Sequence, residues 1–378
     1  MLQSLVFVRR IVAAFVLMYV VTGVASAQQA QPIDSRTADQ MYKSIQVLKG
    51  TPAAELILAM HYFRAALGVT CEYCHVEGNF PSDVKKPKEV ARQMISMVFD
   101  INKNTFQGRQ VVTCYTCHRG HVQPIGVPVY PLDEQVPEAP PPALPSVDQI
   151  LAKYVQALGG EQAIRKVTSR VITATQYIPT GPGGTVPVPA QSEFYQKAPN
   201  LVLNVYRTPT YSISDGFDGT TKWAQDATGR VSEALKIDQV RARRSASLYE
   251  SADLKQQYSR MTVSGVERVN DRDTYVVVAN PPDDRPERLY FDRDTGLLLR
   301  KLTFLPTPIG DIPCEVNYDD YRDAGKGVKV PFLIRMIPAN PRVEMGVIAT
   351  VRVQKVEENV AIEDSKFAKP APRPAPPR

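Results

Sequence analysis

Two short stretches of this sequence repeat one pattern, CEYCH at residues 71–75 and CYTCH at residues 114–118. In each stretch two cysteines are three positions apart, so both sulfurs project from the same side of one tight turn, and a histidine follows directly. This C-x-x-C-H spacing is typical of covalent attachment of c-type haem. Each thiol can bond one vinyl group of a rigid porphyrin, while the histidine ligates the iron from one face. The pattern therefore predicts two covalently attached haems c.

The motifs also predict the role of each residue. Thioether attachment is expected at Cys71, Cys74, Cys114 and Cys117, and proximal iron ligation at His75 and His118. Three other uses of paired cysteines are a zinc site with four thiolates, a redox dithiol and a pair of disulfides. None of these alternatives requires a histidine directly after both pairs, so haem attachment is the better interpretation.

The first 27 residues are predicted to be a cleaved signal peptide. Arg9 and Arg10 precede an apolar run over residues 11–25, and Ala25-Ser26-Ala27 matches a cleavage pattern. An uncleaved membrane anchor is the alternative, although the run is shorter than a spanning helix requires. Export predicts a periplasmic protein, either free or peripheral on the outer side of the cytoplasmic membrane. The net charge of +6 is not concentrated in a basic stripe with interleaved aromatics, so no nucleic-acid partner is expected.

Residues 28–123 are predicted to be an all-α dihaem domain. A first helix is expected from about Thr37 to Lys49. A second follows Thr51 and ends at Gly68, with an apolar stripe at Leu56, Met60, Phe63 and Leu67. A third helix is expected over about residues 88–104, with an apolar face at Val90, Met94, Met97 and Ile101. A helix therefore precedes each haem motif.

Each haem iron has one further axial position, and its ligand affects the reduction potential. Met60 lies in the middle of the apolar stripe before Cys71, which makes it the predicted sixth ligand of the first haem. Met97 and Met94 compete for the second haem, since they lie one helical turn apart on one face. His61 points about 100° away from Met60 around the helix, so it is either a surface residue or a ligand of the other haem.

These residues together resemble a known family. The runs MHYFRAALGVTCEYCH, KEVARQMISMVFDIN and VVTCYTCHRG, within residues 40–125, are similar to the cytochrome c subunit of bacterial photosynthetic reaction centres. The resemblance implies an electron donor to a photo-oxidised pigment pair, with Met60 and Met97 as sixth ligands. That family carries four haems, one of them with two histidine ligands. This chain has two motifs, so the family's source of the second histidine is missing.

Residues 124–145 contain eight prolines and are predicted to form a semi-rigid linker. Residues 146–368 are predicted to form a mainly antiparallel β domain with an N-terminal helix, because nine strand-like runs alternate with turn residues. The motifs FDGTTKWAQD and LYFDRDTGLLLR resemble the periplasmic lipoprotein-carrier fold, a curved half-barrel, which implies a hydrophobic ligand. Residues 369–378 are predicted to be a disordered proline-rich tail.

The resulting hypothesis is an exported dihaem cytochrome that carries electrons between periplasmic or membrane partners and is not an enzyme. A reaction centre is one candidate partner. One alternative is a haem enzyme such as a peroxidase-like reductase, which needs a displaceable sixth ligand on one iron. The other is a lipid or hydrophobe carrier whose haems sense the redox state. The fold class is thus multidomain, with an all-α haem domain followed by an antiparallel half-barrel-like β domain.

Overall fold

The structure is a computed structural model that describes residues 36–371, except 125–143, 181–185, 235, 283, 308, 309 and 340–346. The predicted signal peptide lies outside the described residues. So do nearly all of the predicted linker and residues 372–378 of the predicted tail.

The N-terminal part of the described chain is helical, as the sequence predicts. Its elements are α1 (Ala38–Met41), a 3₁₀ turn (Ala53–Glu55), α2 (Leu56–Leu67), α3 (Cys71–Cys74), α4 (Lys86–Thr105) and α5 (Cys114–His118). The prediction of a helix from Thr37 to Lys49 is wrong beyond Met41. The Ala38 N–H donates to the Thr51 carbonyl at 2.7 Å and closes the segment into a loop, which the local pattern could not show.

The end of α2 follows from its sequence. Gly68 adopts a left-handed conformation with φ of 66° and donates its N–H to the Arg64 carbonyl at 2.8 Å. A residue with a Cβ atom is strained in this conformation, so glycine is the usual helix terminator. The chain then turns directly into the first haem motif, as predicted.

The strands of the described residues form one antiparallel sheet of thirteen strands. They are β1 (Ser169–Thr180), β2 (Val186–Lys197), β3 (Leu201–Arg207), β4 (Ser212–Phe217), β5 (Lys222–Gln225), β6 (Val231–Glu233), β7 (Arg260–Val269), β8 (Arg272–Asn280), β9 (Glu287–Asp292), β10 (Leu298–Thr307), β11 (Gly310–Asp323), β12 (Lys329–Pro338) and β13 (Ala349–Glu358). All nine strand-like runs are strands, whereas β4, β5, β6 and β7 were not among them.

The order of the strands shows how the sheet is built. The chain starts in the middle with β1 and adds neighbours outward to β6 at one edge. A helix over Lys236–Ser245 then leads to β7 at the opposite edge. Successive hairpins return from β7 to β13, which pairs with β1. The β1–β13 pairing runs from Arg170 opposite Glu358 to Tyr177 opposite Thr350, so residues almost 190 positions apart are neighbours.

The predicted helix before the sheet is also present, as α6 (Val147–Ala157), followed by α7 (Glu161–Arg165). The Ser146 hydroxyl accepts a hydrogen bond from the Gln149 N–H and caps α6. Ile150 and Tyr154 are buried in the same core as Leu289 and Phe291 of β9. The fold class predicted from the sequence is therefore confirmed: a helical segment followed by a mainly antiparallel sheet with an N-terminal helix.

Helix α2 packs against the sheet partly through residues that the sequence pattern did not select. Ala59, Tyr62 and Ala66 are buried together with Ile312 of β11. Gly310, at the start of β11, lies against the Tyr62 ring, since a Cβ atom built on Gly310 would be 3.1 Å from three of its atoms. Of the predicted stripe, Leu56 is buried in the same cluster, and Met60 and Phe63 are partly buried against it. The helix thus packs through part of the stripe together with residues that the pattern did not select.

Candidate haem sites

The first motif forms a single helical turn that exposes its reactive groups. Helix α3 contains both cysteines, and the His75 N–H donates to the Cys71 carbonyl at 3.0 Å. Cys71 and Cys74 are half-buried free thiols. Nδ1 of His75 lies 3.0 Å from the Phe80 carbonyl oxygen, in the loop that follows the motif. The ring is therefore oriented by the backbone five residues further along the chain.

The second motif has the same construction. Helix α5 begins after Thr113, whose backbone N–H donates to the Thr116 hydroxyl at 3.0 Å. Cys114 and Cys117 are free thiols, and burial raises the pKa of Cys114 to about 11. Nδ1 of His118 lies 3.0 Å from the His121 carbonyl oxygen. His121 thus orients the second ligand with its backbone oxygen, a role that its side chain did not suggest.

This geometry decides which ring nitrogen is available for a metal. A carbonyl oxygen can only accept a hydrogen bond, so Nδ1 must carry the proton in both His75 and His118. The lone pair is then on Nε2, which is the tautomer that an iron ligand needs. Burial, the largest influence, also lowers the pKa of His75, which favours the neutral ring. Both histidines are therefore prepared to ligate through Nε2.

The candidate sixth ligands lie on the two longer helices. Met60 is half-buried on α2, and Met94 and Met97 are 37% and 43% exposed on one face of α4. His61 is half-buried with its Nδ1 3.4 Å from Nη1 of Arg64. Burial, and then the charge of Arg64, lower the pKa of His61. A methionine sulfur and a neutral imidazole can both ligate iron. The assignment of each of these side chains to either haem stays a prediction.

The helical segment exposes an unusual amount of apolar side chain. Ten of the fourteen large apolar residues that are exposed in the described part of the chain belong to residues 36–124. They are Met41, Tyr73, Val84, Val90, Met94, Met97, Phe99, Val111, Tyr115 and Val122. Only Ile95 and Asn102 of the twenty-residue helix α4 are buried. Exposed apolar side chains concentrated in one segment are typical of a surface that a ligand or partner covers.

Asn102 is a site residue that the sequence analysis missed. Its side chain is buried at the end of α4 and binds the backbone that leads into the second motif. Nδ2 donates to the Val112 carbonyl at 2.7 Å, and Oδ1 accepts from the N–H groups of Val111 and Val112 at 3.1 and 2.9 Å. An asparagine inside a helix that completes three hydrogen bonds to one distant segment fixes the position of that segment. Its place in MVFDIN was visible, but its partners were not.

Neither a disulfide nor a four-thiolate metal site is formed among the described residues. All five cysteines lie in the described residues and are free. Among the described residues, no group of three or more His, Cys, Asp or Glu side chains is arranged to hold a metal ion. The four motif cysteines therefore do not converge on one zinc site.

A separate cavity of about 200 Å³ lies in the β domain, between α6, α7 and the sheet. Its lining includes Tyr154, Tyr318 and Tyr321 together with Glu250 and Lys301. Burial is the largest influence on the Glu250 carboxyl and raises its pKa. The nearby Lys301 lowers this pKa and Glu287 raises it, so the net change is a rise. The cavity is thus part apolar and part polar.

Comparison with known proteins agrees with the geometry of the helical segment. Residues 15–144 match the family model of the photosynthetic reaction centre cytochrome C subunit. The helical segment resembles that subunit. The photosynthetic reaction center cytochrome c subunit of Thermochromatium tepidum is 34% identical over 117 residues, which cover 26% of this chain and 28% of that protein. Cytochrome c-554 of Chloroflexus aurantiacus is 37% identical over 111 residues, covering 24% and 27%.

This chain therefore spans little more than a quarter of the length of these curated relatives. The β domain has structural neighbours instead. A LolA superfamily protein of Nitrosomonas europaea aligns with 60% of this chain and 99% of its own, at 13% identity and a TM-score of 0.41. A DUF1329 family protein of Desulfovibrio piger aligns with 59% of this chain and 97% of its own, at 14% identity and a TM-score of 0.41.

Within the described residues, no helix has the length and apolarity needed to cross a membrane.

Proposed function

We propose that this chain is an exported dihaem c-type cytochrome that carries electrons between periplasmic or membrane partners and performs no chemistry on a substrate. The observation that carries the proposal is the shared geometry of the two motifs. In both, a helical turn presents two thiols, and a backbone carbonyl accepts a hydrogen bond from Nδ1–H, which leaves the lone pair of Nε2 for iron. The similarity of residues 15–144 to the reaction-centre cytochrome family supports it independently.

The haems, when bound, would supply the one-electron chemistry. The residues of the chain attach and orient them. Cys71 and Cys74 would hold the first haem and Cys114 and Cys117 the second, with His75 and His118 as proximal ligands. Met60 is the proposed sixth ligand of the first haem and Met97 that of the second, with Met94 and His61 as alternatives. The exposed apolar face of α4 and the partly buried Met60 and Phe63 of α2 would exclude water from the haem edges, which raises the potential.

The proposed partner is a redox protein or a membrane electron-transfer complex on the periplasmic side. The relative from Thermochromatium tepidum is named as a reaction-centre subunit, which makes a reaction centre the first partner to test. The chain has two haem motifs and resembles only a part of those relatives. Docking to a reaction centre is therefore a narrower proposal than electron transfer itself.

The test is a spectroelectrochemical titration of the wild-type protein and of the variants Met60→Ala and Met97→Ala. Loss of a thioether ligand is expected to lower the potential of one haem, because thioether ligation stabilises the reduced iron. We expect at least a tenfold change in the ratio of oxidised to reduced haem, which is about 59 mV for a one-electron couple. The other haem should move by less than about twofold.

Met261→Ala is the matched control. Met261 lies on β7 and packs against the core that α6 and the sheet share, so its loss should leave both potentials in place. A haem assay should give two haems for each chain. A chain that carries no covalent haem would refute the proposed function. Rapid carbon monoxide binding to one reduced haem of the wild-type protein would instead favour the enzyme alternative.

The cavity in the β domain supports a second role, binding of a hydrophobic or amphipathic ligand. Its lining combines apolar residues such as Leu248, Leu289 and Leu298 with tyrosines, and such mixed surfaces are common in ligand pockets. Native mass spectrometry of the purified protein would detect a co-purified ligand. Filling the cavity with Leu298→Phe should displace it, whereas a ligand that is unaffected by this change would be bound elsewhere.

A further inference from the structure

The environment of Lys88, on the first turn of α4, sets the two haem sites apart. Its side chain is only 12% exposed. Nζ donates to three consecutive carbonyl oxygens, those of Phe80, Pro81 and Ser82, at 2.9, 3.0 and 3.0 Å. It also lies 2.9 Å from Oδ1 of Asp83. An ammonium group has three N–H donors, so this lysine is fully engaged with one short loop.

The same loop is held from its other side. Asp83 accepts from Nη2 of Arg92 at 2.7 Å and from the Ser44 hydroxyl at 2.8 Å. Nη2 of Arg92 also donates to the Ser44 carbonyl at 2.9 Å. Residues 80–83 are therefore fixed to α4 by two cations whose side chains are 12% and 13% exposed. Lys88 cannot leave the loop without giving up several charge-assisted hydrogen bonds.

One atom connects this arrangement with the proposed iron ligand. The Phe80 carbonyl oxygen accepts both from Nζ of Lys88 and from Nδ1 of His75, at 2.9 and 3.0 Å. A cation that polarises a carbonyl reduces the electron density that the oxygen offers to its second donor. The Nδ1–H of His75 is then less strongly drawn toward the oxygen, and the ring becomes a weaker electron donor at Nε2.

We propose that Lys88 is a positioning residue for the first haem, which fixes the Phe80 carbonyl over His75 and raises the reduction potential of that haem above the value it would otherwise have. The inference rests on the proposed function, since it needs a haem at Cys71 and Cys74. Two effects act in the same direction. A weaker histidine donor stabilises the oxidised iron less, and a fixed positive charge close by disfavours the more positive oxidised state.

The second site lacks this arrangement among the described residues. The His121 carbonyl that orients His118 belongs to a tight local turn, in which the His121 N–H donates to the His118 carbonyl at 2.9 Å. No lysine of the described residues is bonded to it. The two proximal histidines thus have the same tautomer and the same 3.0 Å hydrogen bond, but among the described residues only the first acceptor also accepts from a lysine. Lys88 should therefore tune one haem and not the other.

The experiment compares Lys88→Met with Lys86→Met by spectroelectrochemical titration of the full chain. Lys86 is exposed on the same turn of α4, so each variant removes one positive charge from the first turn of this helix. A variant with Cys114→Ala and Cys117→Ala identifies the signal of the first haem. We expect Lys88→Met to change the ratio of oxidised to reduced first haem about tenfold toward oxidised, roughly 59 mV for one electron. The second haem, and both haems of Lys86→Met, should change by less than about twofold.

Lys88→Arg keeps a cation at the loop and protects the test against a variant that merely loosens it. We expect it to return the first haem to within about threefold of the wild-type ratio. The proposal is overturned if Lys88→Met leaves the reduction potential of the first haem unchanged, or if it changes the potentials of both haems equally. It is also overturned if Lys88→Arg lowers the potential of the first haem as much as Lys88→Met does. These outcomes differ from failure of the proposed function, in which the wild-type chain itself would carry no covalent haem.

Discussion

The contact between helix α2 and the sheet gives the sharpest test of how the two parts of this chain pack. Gly310 has a φ of +139°, and a Cβ atom added there would lie 3.1 Å from Cε2, Cζ and Oη of Tyr62. Tyr62 is only 3% exposed. Burial raises the pKa of Tyr62. Tyr62 belongs to a packed cluster that also includes Cys114 of the second motif, so its ring has little room to move.

The variant Gly310→Ala adds one methyl group at this position, and its cost has two parts. A non-glycine residue with a positive φ of this size costs roughly 1–3 kcal/mol. Inserting a methyl group into a packed contact costs about 1–3 kcal/mol more, because the ring must shift by a few tenths of an ångström. We therefore expect a loss of about 2–6 kcal/mol in the free energy of unfolding.

Gly265 provides a control for the backbone part alone. Its φ is +153°, but nothing lies within 4 Å of the Cβ atom that an alanine would add. Gly265→Ala should therefore cost only about 1–3 kcal/mol. The difference between the two variants, roughly 1–3 kcal/mol, measures the contact with Tyr62.

Urea denaturation followed by far-ultraviolet circular dichroism would give both values. In a Tyr62→Ala background the ring is absent, so adding Gly310→Ala should then cost no more than Gly265→Ala does. Equal losses for Gly310→Ala and Gly265→Ala in the wild-type background would refute the tight packing of α2 on the sheet. So would a Gly310→Ala cost that does not change when Tyr62 is removed.

Two further predictions concern the loops that carry the haem motifs. Asn102→Ala should lower the free energy of unfolding by about 2–4 kcal/mol, because three hydrogen bonds are lost and two backbone N–H groups lose their acceptor. Asn104 is an exposed neighbour on the same helix, and Asn104→Ala should lower it by less than about 0.5 kcal/mol. Thermal or urea unfolding would measure both. Hydrogen bonds from Arg92, then Lys88 and Ser44, hold the pKa of Asp83 well below its ordinary value of 3.8. Its contribution to stability is therefore present above about pH 4 and is lost as the pH falls toward the folded-state pKa. Asp83→Asn should flatten the acid side of the stability curve between about pH 4 and pH 2, and an unchanged acid slope would contradict the assignment.

Some features of this chain could be predicted because they depend on neighbouring residues. The end of α2 at Gly68, the Ser146 cap and the nine strand-like runs are short-range patterns, and each is present in the structure. The two C-x-x-C-H turns are of the same kind, since their spacing alone places both thiols on one turn. The short extent of α1 is the counterexample. A local helical pattern was overridden there by the hydrogen bond between Ala38 and Thr51.

Other features depend on which surface covers a residue, and the pattern of one helix contains no such information. The apolar stripe of α2 was visible, but Ala59, Tyr62 and Ala66 form the face that packs against β11. Alanine and tyrosine are common both inside and outside proteins, so only the strand that covers them decides.

The sequence by itself determined the proposed chemistry of the C-x-x-C-H motifs, because two thiols and a histidine must be close in the chain to share one porphyrin. Only the tertiary structure decided which groups surround the two histidines. Phe80 and His121 contact them through carbonyl oxygens, Asn102 binds the backbone before the second motif, and Lys88 shares the Phe80 carbonyl. Every residue has a carbonyl, and its direction depends on the loop conformation rather than on the side chain. The same physical reason explains why the two motifs look equivalent in the sequence and differ in the folded chain.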